Sequence, residues 1–169
     1  RRVERLAIHG GSLRLFGGHR GALVHPSVET SLKEERARRV NDPGGYAACA
    51  GHFQSLIAAL RARLADLKSQ GCRLAAYGAS AKGSTLLNYG RLGRETLDFV
   101  ADRSPHKQGL FTPGTHLPIV GSEELLARQP DHTLLLTWNF AREILEQQQE
   151  YIRRGGKFIF PYETAPGTL

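Results

Sequence analysis

Between residues 71 and 90 the chain reads Gly-Cys-Arg-Leu-Ala-Ala-Tyr-Gly-Ala-Ser-Ala-Lys-Gly-Ser-Thr-Leu-Leu-Asn-Tyr-Gly. A short apolar run, a turn with the spacing Gly78-x-Ser80-x-x-Gly83, and a helical start carrying Lys82 follow one another there. A helix N-terminus offers unpaired N–H groups and the positive end of the helix dipole. With a serine hydroxyl and a lysine beside it, the segment suits an anionic ligand, above all a phosphate. Gly78 can turn with either sign of φ, and Gly83 has no Cβ to hold the helix off the strand. The pattern is the dinucleotide fingerprint with its middle glycine replaced by Ser80. The added Cβ crowds the usual pyrophosphate seat, so the turn suits some nucleotide or phosphate better than NAD in particular.

Other polar residues fall where further strands end. Asp102 lies 24 residues after Gly78, near where a dinucleotide-binding domain places the acid that holds a ribose; capping its own Asp-Arg-Ser-Pro loop is the alternative. Lys82 neutralises a phosphate or points to solvent, and Ser80 is a phosphate donor or a turn residue. His106 and Lys107 can reach a diphosphate or sit solvated on their loop. Asn139 is first a helix cap and second a ligand contact, and Trp138 either fills core or stacks on a base. His9, in His-Gly-Gly-Ser, is an acid/base candidate or a structural histidine beside a turn. The seven histidines have no spacing that pairs with cysteine or carboxylate as a zinc site needs. Neither a Gly-x-Ser-x-Gly elbow nor a Walker motif occurs. The chain thus shows no self-contained catalytic centre and no metal site.

Those residues need elements to carry them. Beyond Gly71, strand and helix patterns alternate, with strands at 74–77, 96–101, 117–120, 133–137 and 157–160. Helices are expected at 82–89, after a cap at Ser122, and over 140–153. The apolar run 133–137 is of the kind buried on both faces of a parallel sheet. The expected fold is α/β: a Rossmann-like doubly wound parallel sheet, order 3-2-1-4-5, preceded by a small β-hairpin and a long helix. The hairpin pairs 3–8 with 12–16 around His9-Gly10-Gly11. Ser27 or Thr30 caps a short helix near 28–39, and 41–45 is a break. The long helix over 46–70 carries Phe53, Leu56, Ile57, Leu60, Leu64 and Leu67 at helical period and is closed by Gly71. Residues 1–26 are read as a terminal hairpin and linker from an upstream domain, 27–169 as the Rossmann-like domain, with a frayed tail over 163–169.

At 169 residues the chain suffices for one well-buried domain. It holds no methionine, even at position 1, and is read as a piece of a longer polypeptide. Cys49 and Cys72, 23 residues apart, have neither metal nor redox spacing and are expected to be buried small hydrophobes in a reducing compartment. The net charge of +7 favours anionic partners. Its lysines and arginines are interleaved with acids and lack the exposed aromatics of a nucleic-acid groove, so no nucleic acid is expected. No run approaches the ~20 apolar residues that cross a membrane, and no secretory signal opens the chain, which points to the cytoplasm and no membrane partner.

Six segments in order carry a closer likeness: His9-Gly-Gly-Ser-Leu-Arg14, 77–89, Asp102-Arg-Ser-Pro-His-Lys-Gln-Gly109, 112–119, Trp138-Asn-Phe140 and Gly155-Gly-Lys-Phe-Ile159. Together, over residues 3–161, the chain closely resembles the C-terminal domain of the S-adenosylmethionine-dependent (deoxy)sugar C-methyltransferases. The resemblance implies a cysteine-rich zinc segment and an S-adenosylmethionine-binding methyltransferase domain upstream, with a nucleotide-linked keto-deoxysugar methylated on carbon. It implies that Gly78, Ser80, Lys82, Gly83, Asp102, Lys107 and Asn139 help hold the nucleotide-diphosphate sugar. It places His9 and Arg14 in the last hairpin of the upstream methyltransferase domain, also on the substrate side. The methyl donor, the zinc and the enolising base then belong to sequence outside this chain, which alone is expected to be inactive. Two other readings stand beside it: an NAD(P)-binding module of an oxidoreductase, and a non-catalytic interaction domain.

Overall fold

The computed structural model describes residues 1–8 and 11–162; His9, Gly10 and residues 163–169, including the expected frayed tail, lie outside the described residues. The chain divides into two compact units, Arg1–Ser55 and Leu56–Leu169.

The first unit holds β1 (Arg2–Leu6), β2 (Ser12–Phe16), α1 (Ser27–Ala37) and the start of α2 (Pro43–Ser69). β1 and β2 pair antiparallel from Arg2↔Phe16 to Leu6↔Ser12, as their period-two pattern predicts. Neither Ser27 nor Thr30 caps α1: Pro26 precedes it, Ser27 Oγ accepts from Val3 N (3.0 Å), and Thr30 Oγ1 donates to the Pro26 carbonyl. The expected break ends earlier than read. Proline is tolerated in a first helical turn, and Asp42 accepts from the Gly45 amide (2.9 Å), so α2 already starts at Pro43. Cys49, expected to be buried, is exposed on α2.

In the second unit five parallel strands lie in the order β5-β4-β3-β6-β7, the doubly wound order read from the sequence. They are β3 (Leu74–Tyr77), β4 (Val100–Asp102), β5 (Ile119–Gly121), β6 (His132–Leu135) and β7 (Lys157–Ile159). Every residue of β3 is at most 3% exposed, and its side chains alternate between two cores. Leu74 and Ala76 pack with Ile57, Leu60 and Leu64 of α2 and with Leu86 and Leu87 of α3 (Ala81–Gly90). Ala75 and Tyr77 pack on the other face with Leu125, Ala141, Ile144 and Tyr151. Those residues come from α4 (Glu124–Arg128), α5 (Ala141–Gln147) and α6 (Gln149–Arg153). A strand buried on both faces must read as continuous apolar sequence, and β3 does.

Several boundaries differ from expectation. β4 is confined to Val100–Asp102, because Thr96 and Leu97 bond back to the Gly93 carbonyl in a turn. The helix expected over 140–153 is two helices separated at Gln148, whose φ of −103° and ψ of 23° leave the helical region. Ser122 does not cap α4; Glu123 precedes that helix without a side-chain cap bond. The close of α2 is as read: Gly71 takes φ +82°, and its amide and that of Cys72 return to the Lys68 and Leu67 carbonyls.

Candidate functional site

The register of the sheet brings the expected residues to one edge. Tyr77 pairs with Ala101 of β4 and Leu135 of β6, so the loops leaving β3, β4 and β6 start side by side. β3 and β6 are the neighbours from which the chain departs toward opposite faces, the place where open α/β sheets bind ligands.

Local chemistry shapes the first loop. Gly78 has φ +94°, and a Cβ there would overlap the Thr137 side chain. At Gly83 a Cβ would lie 2.8 Å from Leu136 Cβ, so this glycine lets α3 press against the end of β6. Ser80 is the N-cap of α3, its Oγ accepting from the Gly83 amide (3.1 Å). Accepting that bond caps the helix and leaves the serine O–H able to donate. The amides of Ala81 and Lys82 have no intrahelical acceptor and remain at the open end.

Lys82 follows at the second helical position. Its ammonium group donates to Asn139 Oδ1 and sits 4.5 Å from the centre of the Trp138 ring. Trp138 in turn meets Tyr162 edge-on at 5.4 Å. Among the described residues no carboxylate forms an ion pair with Lys82. Partial burial pulls its pKa below the ordinary lysine value. Asn139 is not a helix cap, contrary to the first expectation. It lies inside the 3₁₀ turn Trp138–Phe140, preceded by Thr137, and α5 is preceded by Phe140 without a side-chain cap bond. Its carbonyl oxygen is free to face α3 for that reason. Of its two readings Trp138 realises the core one, packing beside α2 and α3 with its ring facing the Lys82 ammonium group.

Asp102 braces the same turn from the neighbouring strand. It is 8% exposed; its Oδ2 accepts from Ala79 N (2.7 Å) and Lys107 Nζ (3.3 Å), and its Oδ1 from Ser104 N (2.8 Å). Of its two sequence readings, the loop cap is the one these bonds realise. Lys107 donates to the Ala79 carbonyl as well (2.9 Å). It ties the β4 loop to the glycine turn instead of reaching outward.

The structure therefore gathers Gly78, Ser80, Lys82, Gly83, Asp102, Lys107 and Asn139 within one set of touching loops. Arg14, in the first unit, lies 3.7 Å from Glu4; His9 lies outside the described residues. Two residues that were not singled out also belong here. The Tyr77 hydroxyl and Thr137 Oγ1 are buried without a hydrogen-bond partner, at the ends of β3 and β6. Their position directly before the glycine turn and before Trp138 is the only sequence signal that marks them. Among the described residues no group of three His, Cys, Asp or Glu could hold a metal ion, and no helix is long and apolar enough to cross a membrane.

Comparison with known proteins adds to this geometry. The family described as C-methyltransferase C-terminal domain matches residues 7–162. C-methyltransferase NovU of Streptomyces niveus is 35% identical over 161 residues, covering 94% of this chain. The matched region is 38% of the length of that relative.

Proposed function

Because this chain belongs to the C-methyltransferase C-terminal domain family, we propose that it grips the diphosphate of a nucleotide-linked keto-deoxysugar within a C-methyltransferase that uses S-adenosylmethionine. One observation carries this reading. Among the described residues Lys82, a cation at the positive end of α3, is partnered by a neutral amide and a ring and by no carboxylate. A lysine is electrostatically misplaced at a helix N-terminus until an anion joins it. A phosphate bound to the Ala81 and Lys82 amides and to the ammonium group supplies that anion.

The other residues have supporting roles. Gly78 and Gly83 allow the close approach, Ser80 holds the helix start, Asp102 and Lys107 fix the turn, and Asn139 aims the lysine. His9 and Arg14 join the substrate side through the family resemblance. Binding energy from the remote nucleotide then positions the sugar carbon for reaction.

S-adenosylmethionine, which supplies the methyl group, does not fit this turn. Its sulfonium cation meets a helix N-terminus and a lysine, and Asp102 has both oxygens engaged by protein donors. We place the methyl donor and the enolising base in the upstream methyltransferase domain of the same polypeptide, and zinc in its N-terminal segment. The chain alone is then inactive, and the whole enzyme cytoplasmic. The nicotinamide alternative would need a ribose to share an Asp102 carboxylate that is 8% exposed and already accepts from Ala79, Lys107 and Ser104.

The test is kinetic. In the full-length protein, Lys82→Ala is expected to raise KM for a thymidine diphosphate keto-deoxysugar about tenfold or more, the worth of a charge-assisted contact, with kcat changed far less. An unchanged KM removes the phosphate role from Lys82.

A further inference from the structure

The arginines of the second unit are unevenly paired. Arg73, Arg103, Arg128 and Arg142 form ion pairs with Asp131, Glu143, Glu124 and Glu146, and Arg153 and Arg154 share Glu150. Arg61, Arg91 and Arg94 form none among the described residues. All three border two adjoining cavities. The first, of about 760 Å³, is lined by Arg91, Arg94, Glu95, Phe111 and His116, among others. The second, of about 460 Å³, takes in Arg61 and shares Arg91 and Glu95 with the first.

This place is not the Lys82 turn. Arg91 directly follows α3, whose ten residues put about 15 Å between the helix ends. The turn 112–117 forms the opposite wall at the amino ends of the strands, where the Pro118 carbonyl accepts from Val100 N at the start of β4 (2.9 Å). Backbone conformation singles out the same wall and helix end. Arg91 has φ +51° and His116 φ +53°, in the left-handed region that favours glycine. Both positions carry instead a side chain that lines the first cavity. Strain of that kind collects at ligand sites.

Charge indicates the ligand. The Arg91 guanidinium makes no hydrogen bond among the described residues. The negative end of the α3 dipole favours a cation there but leaves its five donors unused. Arg94 donates only from Nε, to the His116 carbonyl (2.8 Å). It lies over the Phe111 ring, 5.5 Å from the centre, and that ring belongs to a side chain 55% exposed. Glu95 accepts from the Gly93 amide (3.0 Å) and pairs with neither arginine. Three arginines against one carboxylate leave a surplus that matches the charge of about −2 on a phosphate monoester. Guanidinium forks fit its paired oxygens. The first cavity has the ~300–1,000 Å³ of a small-molecule site.

We propose that the cavity between the end of α3 and the 112–117 turn is a second anion site, which takes a phosphorylated small molecule. Arg91 and Arg94 hold the phosphate, and Phe111 packs against the body of the ligand. The site stands independently of the diphosphate reading at Lys82.

Binding of inorganic pyrophosphate and of thymidine diphosphate is measured by calorimetry in the full-length protein carrying Lys82→Ala, which disables the other phosphate-type turn. The measurement is repeated after adding Arg91→Gln, Arg94→Gln or Arg142→Gln. Arg142 lines neither cavity and serves as the control of equal charge. Both ligands are expected to bind the Lys82→Ala protein. Arg91→Gln and Arg94→Gln are each expected to weaken both about tenfold, as for loss of a charge-assisted contact, and Arg142→Gln to change neither. Arg91 has no hydrogen bond or ion pair to lose, so a loss there has no structural origin. Absence of binding, or one affinity in all the arginine variants, overturns the proposal. A loss in Arg142→Gln as large as in Arg91→Gln reduces the effect to net charge and overturns it as well.

Discussion

Two tyrosines in one core show how little residue type says about role. Tyr151 is 1% exposed, and its hydroxyl donates to the Pro130 carbonyl (3.0 Å) and shares a hydrogen bond with Thr133 Oγ1 (2.8 Å). Tyr77 is buried to the same degree with its hydroxyl unsatisfied. Burial raises both pKa values, so both stay protonated at neutral pH. Tyr151→Phe leaves a buried carbonyl and a threonine unpaired and is expected to cost about 1–3 kcal/mol. Tyr77→Phe is expected to stay within about 0.5 kcal/mol of wild type or to stabilise, because only an unmet desolvation cost is removed. Urea unfolding of the two variants checks the contrast; equal losses would mean that Tyr77 has a protein partner after all.

Elements place these residues, and their turns carry separable costs. Gly78 and Gly71 both have positive φ, but a Cβ meets Thr137 at the first and open space at the second. Gly71→Ala is expected to lose about 1 kcal/mol, from backbone conformation alone. Gly78→Ala adds steric overlap at the junction of β3 and β6 and is expected to lose about 2–5 kcal/mol. The difference between their urea midpoints measures the packing of that junction. At the other end of β6, His132 Nδ1 is buried without a partner. Burial and then the Lys157 cation hold its pKa below the ordinary histidine value, against the pull of Asp131. Between the lowered native value and the ordinary unfolded one, the unfolded chain binds more protons, so stability rises with pH there and is lost as pH falls. His132→Gln is expected to shrink the loss of stability between about pH 7.5 and 5. Denaturation midpoints at the two pH values test it, and an unchanged pH dependence would exclude His132 as its source.

Over the whole molecule, burial is concentrated in the second unit. β3 is closed on both faces, while α1 buries no residue and β2 exposes Leu13, Leu15 and Phe16. A two-stranded hairpin is marginal by its own bonds, whereas central strands open only with global unfolding. Amide hydrogen exchange is therefore expected to be slowest in β3 and β6 and faster by orders of magnitude in β1 and β2. Comparable protection in the hairpin would mean that the first unit gains its stability elsewhere.

Periodicity and turn chemistry act between near neighbours, and they sufficed for the strand order, the long helix, its glycine close and the turn from Gly78 to Gly83. The family likeness was legible for the same reason, since its motifs are short segments in order. Local patterns could not locate the interruption at Gln148, the early start of α2 or the exposure of Cys49, because competing helical and non-helical states there differ by little until packing decides. Long-range partnership was likewise out of reach. Lys82 and Asn139 are 57 residues apart in sequence. That Asn139 holds a lysine in place of capping a helix, and that Asp102 braces the Gly78 turn, follow from the parallel register of β4, β3 and β6. The sequence by itself determined which loops would meet at the sheet's edge. Only the tertiary structure decided which polar atoms there satisfy one another, and which, at Tyr77 and Thr137, are buried without a partner.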